Sequence, residues 1–169
     1  MTWGVADQAM SSLTNFLLSI YVARSLGAAQ FGAFSLAYVT YGFTINASRG
    51  LSIEPLLIRF SATNPLTWRR ATARCTGTAL LVGLITGACA LVAGPLVGGT
   101  TGRAFVALGL TLPGLMLQDS WRYAFFAIGR GQHAFLNDTI WAVLLLPSLT
   151  LLKMRGHPDV FWFVLAWAA

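Results

Sequence analysis

Arg49 and Glu54 are charged residues inside an apolar stretch, Phe31 to Phe60, that has the length of a membrane span. A charge at the bilayer centre costs at least a few kcal/mol unless it faces protein or a water-filled cavity. The two residues therefore indicate a functional site. Arg49 also lies at the deep end of a polar helical face, because polar or small residues precede it at spacings of three and four: Ser35, Tyr38, Gly42 and Asn46.

Three interpretations of Arg49 remain open from the residues alone. As an anion site, its guanidinium is a permanently charged fork of donors that suits phosphate oxygens, and Asn46 lies about one turn away on the same face. As a structural group, it pairs with Glu54 or with Asp119. The third interpretation is that the predicted boundary of this span is misplaced.

A second set of polar residues recurs every four positions near the start of the chain, at Asp7, Ser11, Asn15 and Ser19. This spacing gives one polar helical face. Asn15 is expected either to hydrogen-bond a neighbouring helix or to line a cavity. Asp7 is so close to the start of the helix that we expect it at the membrane interface.

Asp119 and Arg122 stand three residues apart, a spacing that allows an ion pair within one helix. One interpretation is a salt-bridged helix end in the headgroup region, with Trp121 and Tyr123 as interfacial aromatics. The other is that Arg122 holds a phosphate. Asp138 falls near the predicted end of a later span, where we expect it to be solvated.

Motifs for catalysis or for metal binding are not found. Cys75 and Cys89 are 14 residues apart without metal-ligand spacing, and we interpret both as packing residues. His133 and His157 fall in loop-like contexts and are expected to be solvated. Ser52 near Glu54 is only a loose match to a nucleophile with a base. We predict a protein that is not an enzyme and has no metal site and no cofactor.

The composition is that of a membrane protein. Of 169 residues, 56% are hydrophobic and 9% are charged, and the mean hydropathy is +0.69. Soluble domains have about 25% charged residues. The net charge of +6 comes from cations placed mostly between apolar runs, where they meet lipid headgroups and set topology, so nucleic acid is not the expected partner.

The apolar runs predict an all-α fold, a polytopic bundle of about five complete spans plus the start of a sixth. The predicted spans are residues 5–22, 33–59, 75–97, 104–127, 135–152 and 160–169, the last incomplete, so we expect the chain to be a fragment. The polar segment Ser61 to Arg74 contains three arginines and is predicted to be cytoplasmic, which places the N-terminus in the cytoplasm as well.

Two local features shape the predicted bundle. Cys75, Ala79, Gly83 and Gly87 place small residues every fourth position on the third span, a face that lets a neighbouring helix approach closely. Prolines predict kinks at two other places, near Leu51 because of Pro55, and at Pro113 in the fourth span.

The sequence resembles the N-terminal part of the polysaccharide flippases, the O-antigen and teichoic-acid exporters of the multidrug/oligosaccharidyl-lipid/polysaccharide superfamily. Three stretches account for the similarity: ADQAMSSLTNFLLSIYVARSLGAAQFGAFSLA at residues 6–37, RGLSIEPLLIRFS at 49–61 and QDSWRYAFFAIGRGQHAFLNDTIW at 118–141. The likeness extends over essentially the whole chain, although no single motif within it is specific.

This resemblance implies one of two helical lobes that flip a polyprenyl-pyrophosphate-linked oligosaccharide across the bacterial cytoplasmic membrane by alternating access. The implied partners are this lipid-linked oligosaccharide, membrane lipids and polysaccharide assembly proteins. Related lipid II flippases hold the pyrophosphate with cavity arginines, one of them in helix two, and Arg49 is the matching position. We expect the remaining substrate contacts from Asn46, Asn15 and Arg122.

Two alternatives to the flippase remain open. A cation-coupled multidrug antiporter of the same superfamily would need an intramembrane carboxylate, for which Glu54 is the candidate. A structural or scaffolding membrane protein would tolerate an apolar residue at Arg49. The sequence departs from the two-lobe pattern because it holds no second lobe, and the broader family does not require the Glu54-Pro55 pair.

Overall fold

The computed structural model describes residues 2–60, 64–156 and 158–168, and it confirms the all-α class for them, with no β-strand in these ranges. Residues 61–63, at the start of the predicted cytoplasmic segment, and His157, which we expected in a loop, lie outside the described residues. The helices are α1 (Thr2–Ser25), α2 (Ala28–Ser48), a π-helical turn (Arg49–Ile53), α3 (Glu54–Arg59), α4 (Pro65–Val97), α5 (Gly99–Ala127), α6 (Gly131–Met154) and α7 (Val160–Ala168).

An antiparallel hairpin of α4 and α5 is the most closely packed part of the bundle. The two helices are joined at Gly98 and Gly99, whose φ angles of 67° and 57° lie in the left-handed region that glycine adopts without strain. The predicted small-residue face of α4 is buried against α5, which confirms it as a packing surface.

Glycines allow the two backbones of the hairpin to touch. A Cβ atom placed on Gly87 would lie 2.7 Å from the carbonyl oxygen of Gly109, and one on Gly83 would lie 2.7 Å from the Cα of Pro113. Pro113 lies inside α5, which continues as a helix on both sides of it. The proline that we expected to kink this helix therefore stands at the close approach of α4.

α7 is a short helix at the centre of the bundle, where it contacts α2, α5 and α6. Phe163, Val164 and Trp167 are buried. The start of α7 is held by polar contacts: Asp159 accepts a hydrogen bond from the backbone of Phe161 at 2.9 Å and forms an ion pair with Arg103 at 2.6 Å. A short apolar helix is stable here because most of its surface is covered, although Trp162 is exposed.

α1 and α6 lie side by side and run in the same direction. The rings of Trp3 and Phe135 are 5.6 Å apart near the starts of the two helices. Near their ends, the hydroxyl of Tyr21 donates a hydrogen bond to the Thr150 hydroxyl at 3.1 Å. α1 has few contacts with α2, so α6 is its main support.

The predicted kink near Leu51 corresponds to a π-helical turn over Arg49–Ile53. Within it the backbone N–H of Glu54 donates to the carbonyl of Arg49, five residues earlier. Pro55 follows at once, and a proline ring clashes with the carbonyl four residues before it in a regular α-helix. The wider π-helical turn avoids that clash, and π-helical turns are frequent at functional sites.

The outer surface of the bundle is apolar. Phe43 is 77% exposed, Leu96 82% and Val143 64%, and the other long helices also expose large apolar side chains. Soluble monomers rarely expose apolar patches of this extent. Among the described residues, three helices are by length and composition apolar enough to cross a membrane: α4, α5 and α6.

Each of the first five predicted spans falls within a helical segment, and the sixth coincides with α7 over the described residues. The helices are longer than predicted, because α4 starts at Pro65 and α5 at Gly99. At 1.5 Å per residue, the 33 residues of α4 reach about 50 Å, against about 30 Å for the hydrocarbon of a bilayer.

The contact between the backbones of α4 and α5 predicts that Gly87→Ala destabilises the protein. The added methyl group meets the Gly109 carbonyl, and such overpacking costs about 1–3 kcal/mol. Thermal unfolding in detergent measures the change. Gly77→Ala on the same helix is the control, because its methyl group points into open space and alanine is the better helix former by up to about 1 kcal/mol. Equal effects of the two substitutions would contradict the close approach.

Candidate functional site

Five charged residues from different parts of the chain meet inside the bundle, and we call them the charge cluster. α1 provides Asp7, the π-helical turn provides Arg49, α5 provides Asp119 and Arg122, and α6 provides Asp138. Two arginines and three aspartates give the cluster a formal charge of −1. Charges in the interior of a bundle are tolerated only when they are paired, and both arginines here have carboxylate partners.

Arg49 and Asp119 form a bidentate ion pair. Nε of Arg49 donates to Oδ2 of Asp119 at 2.9 Å, and Nη2 donates to Oδ1 at 2.7 Å. The guanidinium carbon also lies 5.1 Å from the centre of the Tyr123 ring, in a cation–π arrangement. Of the alternatives left open for Arg49, pairing with Asp119 is the one that the structure contains.

Arg122 is held between two carboxylates. Its Nε donates to Oδ2 of Asp7 at 3.0 Å, and Nη2 contacts the same oxygen. Oδ2 of Asp138 lies 3.5 Å from Nε. Arg122 therefore ties α1 and α6 to α5, whereas Arg49 ties the π-helical turn to α5.

The spacing of Asp119 and Arg122 on α5 directs them to different neighbours. Their positions allowed an ion pair within the helix, but Asp119 instead pairs with Arg49 and Arg122 with two aspartates. Residues three apart on a helix point about 60° away from each other. Each side chain consequently faces the helix that packs on its own side of α5, and pairing between helices satisfies both.

Asp7 is buried, with its side chain 2% exposed, so the expectation of an interfacial position was wrong. α1 lies along α6 and brings Asp7 against Arg122 instead of lipid headgroups. Oδ1 of Asp7 is buried and has no hydrogen-bond partner among the described residues. The expected solvation of Asp138 was also wrong, because its side chain is 14% exposed and contacts Arg122.

A polar cavity of about 100 Å³ adjoins the charge cluster. A buried water needs roughly 10–15 Å³ measured in this way, so the cavity has room for several. Asp119, Arg122 and Asp138 line it together with the side chains of Ser11, Asn15, Tyr38, Tyr41, Leu115, Gln118, Trp141 and Trp167. The Trp141 ring nitrogen donates to the carbonyl of Trp167 at 3.1 Å, which joins α6 to α7 at the cavity wall.

The predicted site residues separate into two groups. Asn15 lines the cavity, and Arg49 and Arg122 belong to the charge cluster. Asn46 does not reach the cavity: it is exposed, and its amide donates to the Gly42 carbonyl at 2.7 Å. Glu54 is exposed on the first turn of α3, outside the cluster. Its pairing with Arg49, one of the alternatives left open, is not present.

Several residues of the site were not singled out as candidates from the sequence. Asp7 belongs to the predicted polar face of α1 that also contains Ser11 and Asn15, and this face is the signal that identifies it. Tyr38 was placed on the polar face of α2. Tyr41 and Gln118 gave no signal in the sequence, because a single tyrosine or glutamine in a span has many structural roles.

Catalytic chemistry gains no support from the arrangement. The Ser52 hydroxyl donates to the Ser48 carbonyl at 2.6 Å and is buried, whereas Glu54 is exposed, so the two do not form a nucleophile with a base. Within the ranges that the structure covers, no group of three or more histidine, cysteine or acidic residues is arranged to hold a metal ion.

The burial of Asp7 predicts that Asp7→Asn destabilises the protein by about 3 kcal/mol, the lower part of the range for breaking a buried ion pair, because Arg122 keeps Asp138. Unfolding in detergent measures the loss. Glu54→Gln is the control, because an exposed carboxylate contributes less than about 0.5 kcal/mol. A double-mutant cycle combines Asp7→Asn with Arg122→Gln. If their losses in free energy of unfolding were additive, Asp7 and Arg122 would not interact directly.

Comparison with known proteins returned no match: no protein-family model, no curated protein and no solved structure is similar to this chain. The resemblance to polysaccharide flippases therefore rests on the sequence stretches quoted above. What the protein does has to be argued from its own side chains. The most informative of these are the buried charges of the cluster.

Proposed function

We propose that the chain is one lobe of a membrane transporter that flips a polyprenyl-pyrophosphate-linked oligosaccharide across the cytoplasmic membrane by alternating access. The observation that supports this most directly is the charge cluster beside a polar cavity, inside a bundle whose outer surface is apolar. Buried ion pairs are weak contributors to stability, since apolar residues of the same size often stabilise as well or better. The presence of these ion pairs in a membrane bundle therefore favours a role in binding or moving a charged group.

An anionic substrate explains why both cations of the cluster are arginines. A pyrophosphate that enters hydrocarbon needs its charge matched, and a guanidinium group presents paired donors to two phosphate oxygens. Arg49 in the π-helical turn and Arg122 on α5 would provide two such forks. Asn15 and the tyrosines of the cavity wall would add donors for sugar hydroxyls or phosphate oxygens.

The proposed membrane topology follows from the helix lengths and the exposed arginines. Besides α4 to α6, α1 has 24 residues, and α2 with its continuation through the π-helical turn to Arg59 is longer still, so both would reach across a bilayer core of about 30 Å. α7 would enter the membrane as the sixth span. Arg69, Arg70 and Arg74 are exposed at the start of α4, which favours a cytoplasmic position for that end and for the N-terminus.

A cation-coupled antiporter is the second candidate, and one observation favours it. The charge cluster has one carboxylate more than it has arginines, and an excess negative charge in a cavity attracts a cation or a proton. The coupling carboxylate expected from the sequence, Glu54, is exposed outside the cavity. In this alternative the aspartates of the cluster take that role.

The flippase proposal predicts that Arg49→Gln abolishes glycan export in cells that depend on the gene. The reason is that the pyrophosphate loses the two guanidinium donors of Arg49. Loss of one charged hydrogen-bonding partner corresponds to roughly 10- to 100-fold weaker binding. Labelled surface polysaccharide and the amount of protein in the membrane are measured together. Arg59→Gln is the matched control, since Arg59 is an exposed arginine at the end of α3.

Three outcomes separate the candidate functions. Loss of export in Arg49→Gln with normal membrane abundance supports the flippase. Normal export together with loss of drug resistance on Asp7→Asn, at normal abundance, favours the antiporter. Normal export in Arg49→Leu together with normal drug resistance in Asp7→Asn would indicate a structural protein and would contradict both.

A further inference from the structure

We infer that Asp119 is an internal anion that occupies the donor fork of Arg49 when no substrate is bound, and that the pyrophosphate headgroup must displace it. The inference rests on the proposed function and adds a residue that controls substrate affinity. Asp119 would act as a built-in competitor of the substrate rather than as a group that touches it.

The geometry of the pair is the geometry that a phosphate would use. Two nitrogens of Arg49, Nε and Nη2, each donate to a separate oxygen of Asp119, at 2.9 and 2.7 Å. Carboxylate and phosphate both present two oxygens to a guanidinium group in this bidentate manner. A phosphate cannot bind the same two donors while the carboxylate stays there, so the two anions compete for one fork.

Arg49 is the more accessible member of the pair. Its side chain is 27% exposed, whereas that of Asp119 is 7% exposed. An incoming anion would therefore reach Arg49 more readily than Asp119. The Tyr123 ring, 5.1 Å from the guanidinium carbon, would keep the group in position after the carboxylate leaves.

The competition concerns Arg49 more than Arg122. Arg49 pairs with a single carboxylate, whereas Arg122 contacts both Asp7 and Asp138. An anion would have to displace two carboxylates to gain full use of Arg122. Displacement of a single carboxylate, that of Asp119, would therefore be enough to free Arg49 for the anion.

The test measures binding of radiolabelled inorganic pyrophosphate to the full chain in lipid nanodiscs. Asp119→Asn removes the competing charge at nearly the same volume, so we expect pyrophosphate to bind about 10- to 100-fold more tightly than to the wild type. A merely structural ion pair predicts the opposite, a less stable protein without a gain in affinity. Asp119→Asn combined with Arg49→Gln should lose the gain, because the two guanidinium donors are then absent.

Asp138→Asn is the matched control for net charge. It removes the same charge from the cluster, but from the side of Arg122, so we expect a gain of less than about fivefold from the weaker repulsion alone. An equal gain in Asp138→Asn and Asp119→Asn would overturn the inference, because the effect would then come from net charge and not from occupation of the fork.

The remaining outcomes distinguish this inference from the proposed function. If the wild type binds pyrophosphate, Arg49→Gln does not, and Asp119→Asn gains nothing, the inference fails and the anion site stands. If no variant binds, the pyrophosphate substrate fails, and the inference with it. If Asp119→Asn does not fold, infrared difference spectra of the wild type provide the test. Carboxylate bands that stay unchanged when pyrophosphate binds would overturn the inference that Asp119 is displaced.

Discussion

The pairing of two half-buried arginines with three aspartates, each on a different segment from its arginine, is the constraint on which this bundle depends. An unpaired charge inside a membrane bundle costs several kcal/mol, so each arginine fixes the position of the helix that provides its partner. Arg122 requires α1 and α6 to lie beside α5, and Arg49 requires the π-helical turn to face the same helix. The contacts of α5 with α1, with α6 and with the π-helical turn therefore depend on the same five charged side chains.

Much of the helical framework was predictable because apolar runs and small-residue faces are local patterns. The close approach of a neighbouring helix to α4 followed from small residues at every fourth position, and that face is buried; the structure identifies the neighbour as α5. The ends of the helices were less predictable, because α4 and α6 extend into polar sequence that no apolar run marks. The π-helical turn was foreseen as a kink at Pro55, but a change of hydrogen-bond register has no separate signal in sequence.

The choice of partner for each charge was the part that sequence did not determine. Arg49 was recognised as the deep end of a polar face, and Asp119 was one of two partners considered, but only the packing of α2 on α5 selects it over Glu54. Asp7 was assigned to the interface from its place near the start of the chain. Its burial depends on how far α1 slides along α6, which is a property of the assembled bundle.

The distribution of contacts around the cavity suggests how such a site would open. α1 rests mainly on α6, and α2, α5 and α7 contact one another, while α6 also contacts α5 and α7. The cavity lies between residues of α1 and α6 on one side and residues of α2, α5 and α7 on the other. The ion pair of Arg122 with Asp7 spans the boundary between these groups, and the pair of Arg49 with Asp119 lies within one of them. Separating α1 and α6 from the rest would break the first pair and leave the second intact. In the proposed transporter, exchange of anions at Arg49 and movement of the helices would therefore be distinct events, connected through Asp119 and Arg122, three residues apart on α5.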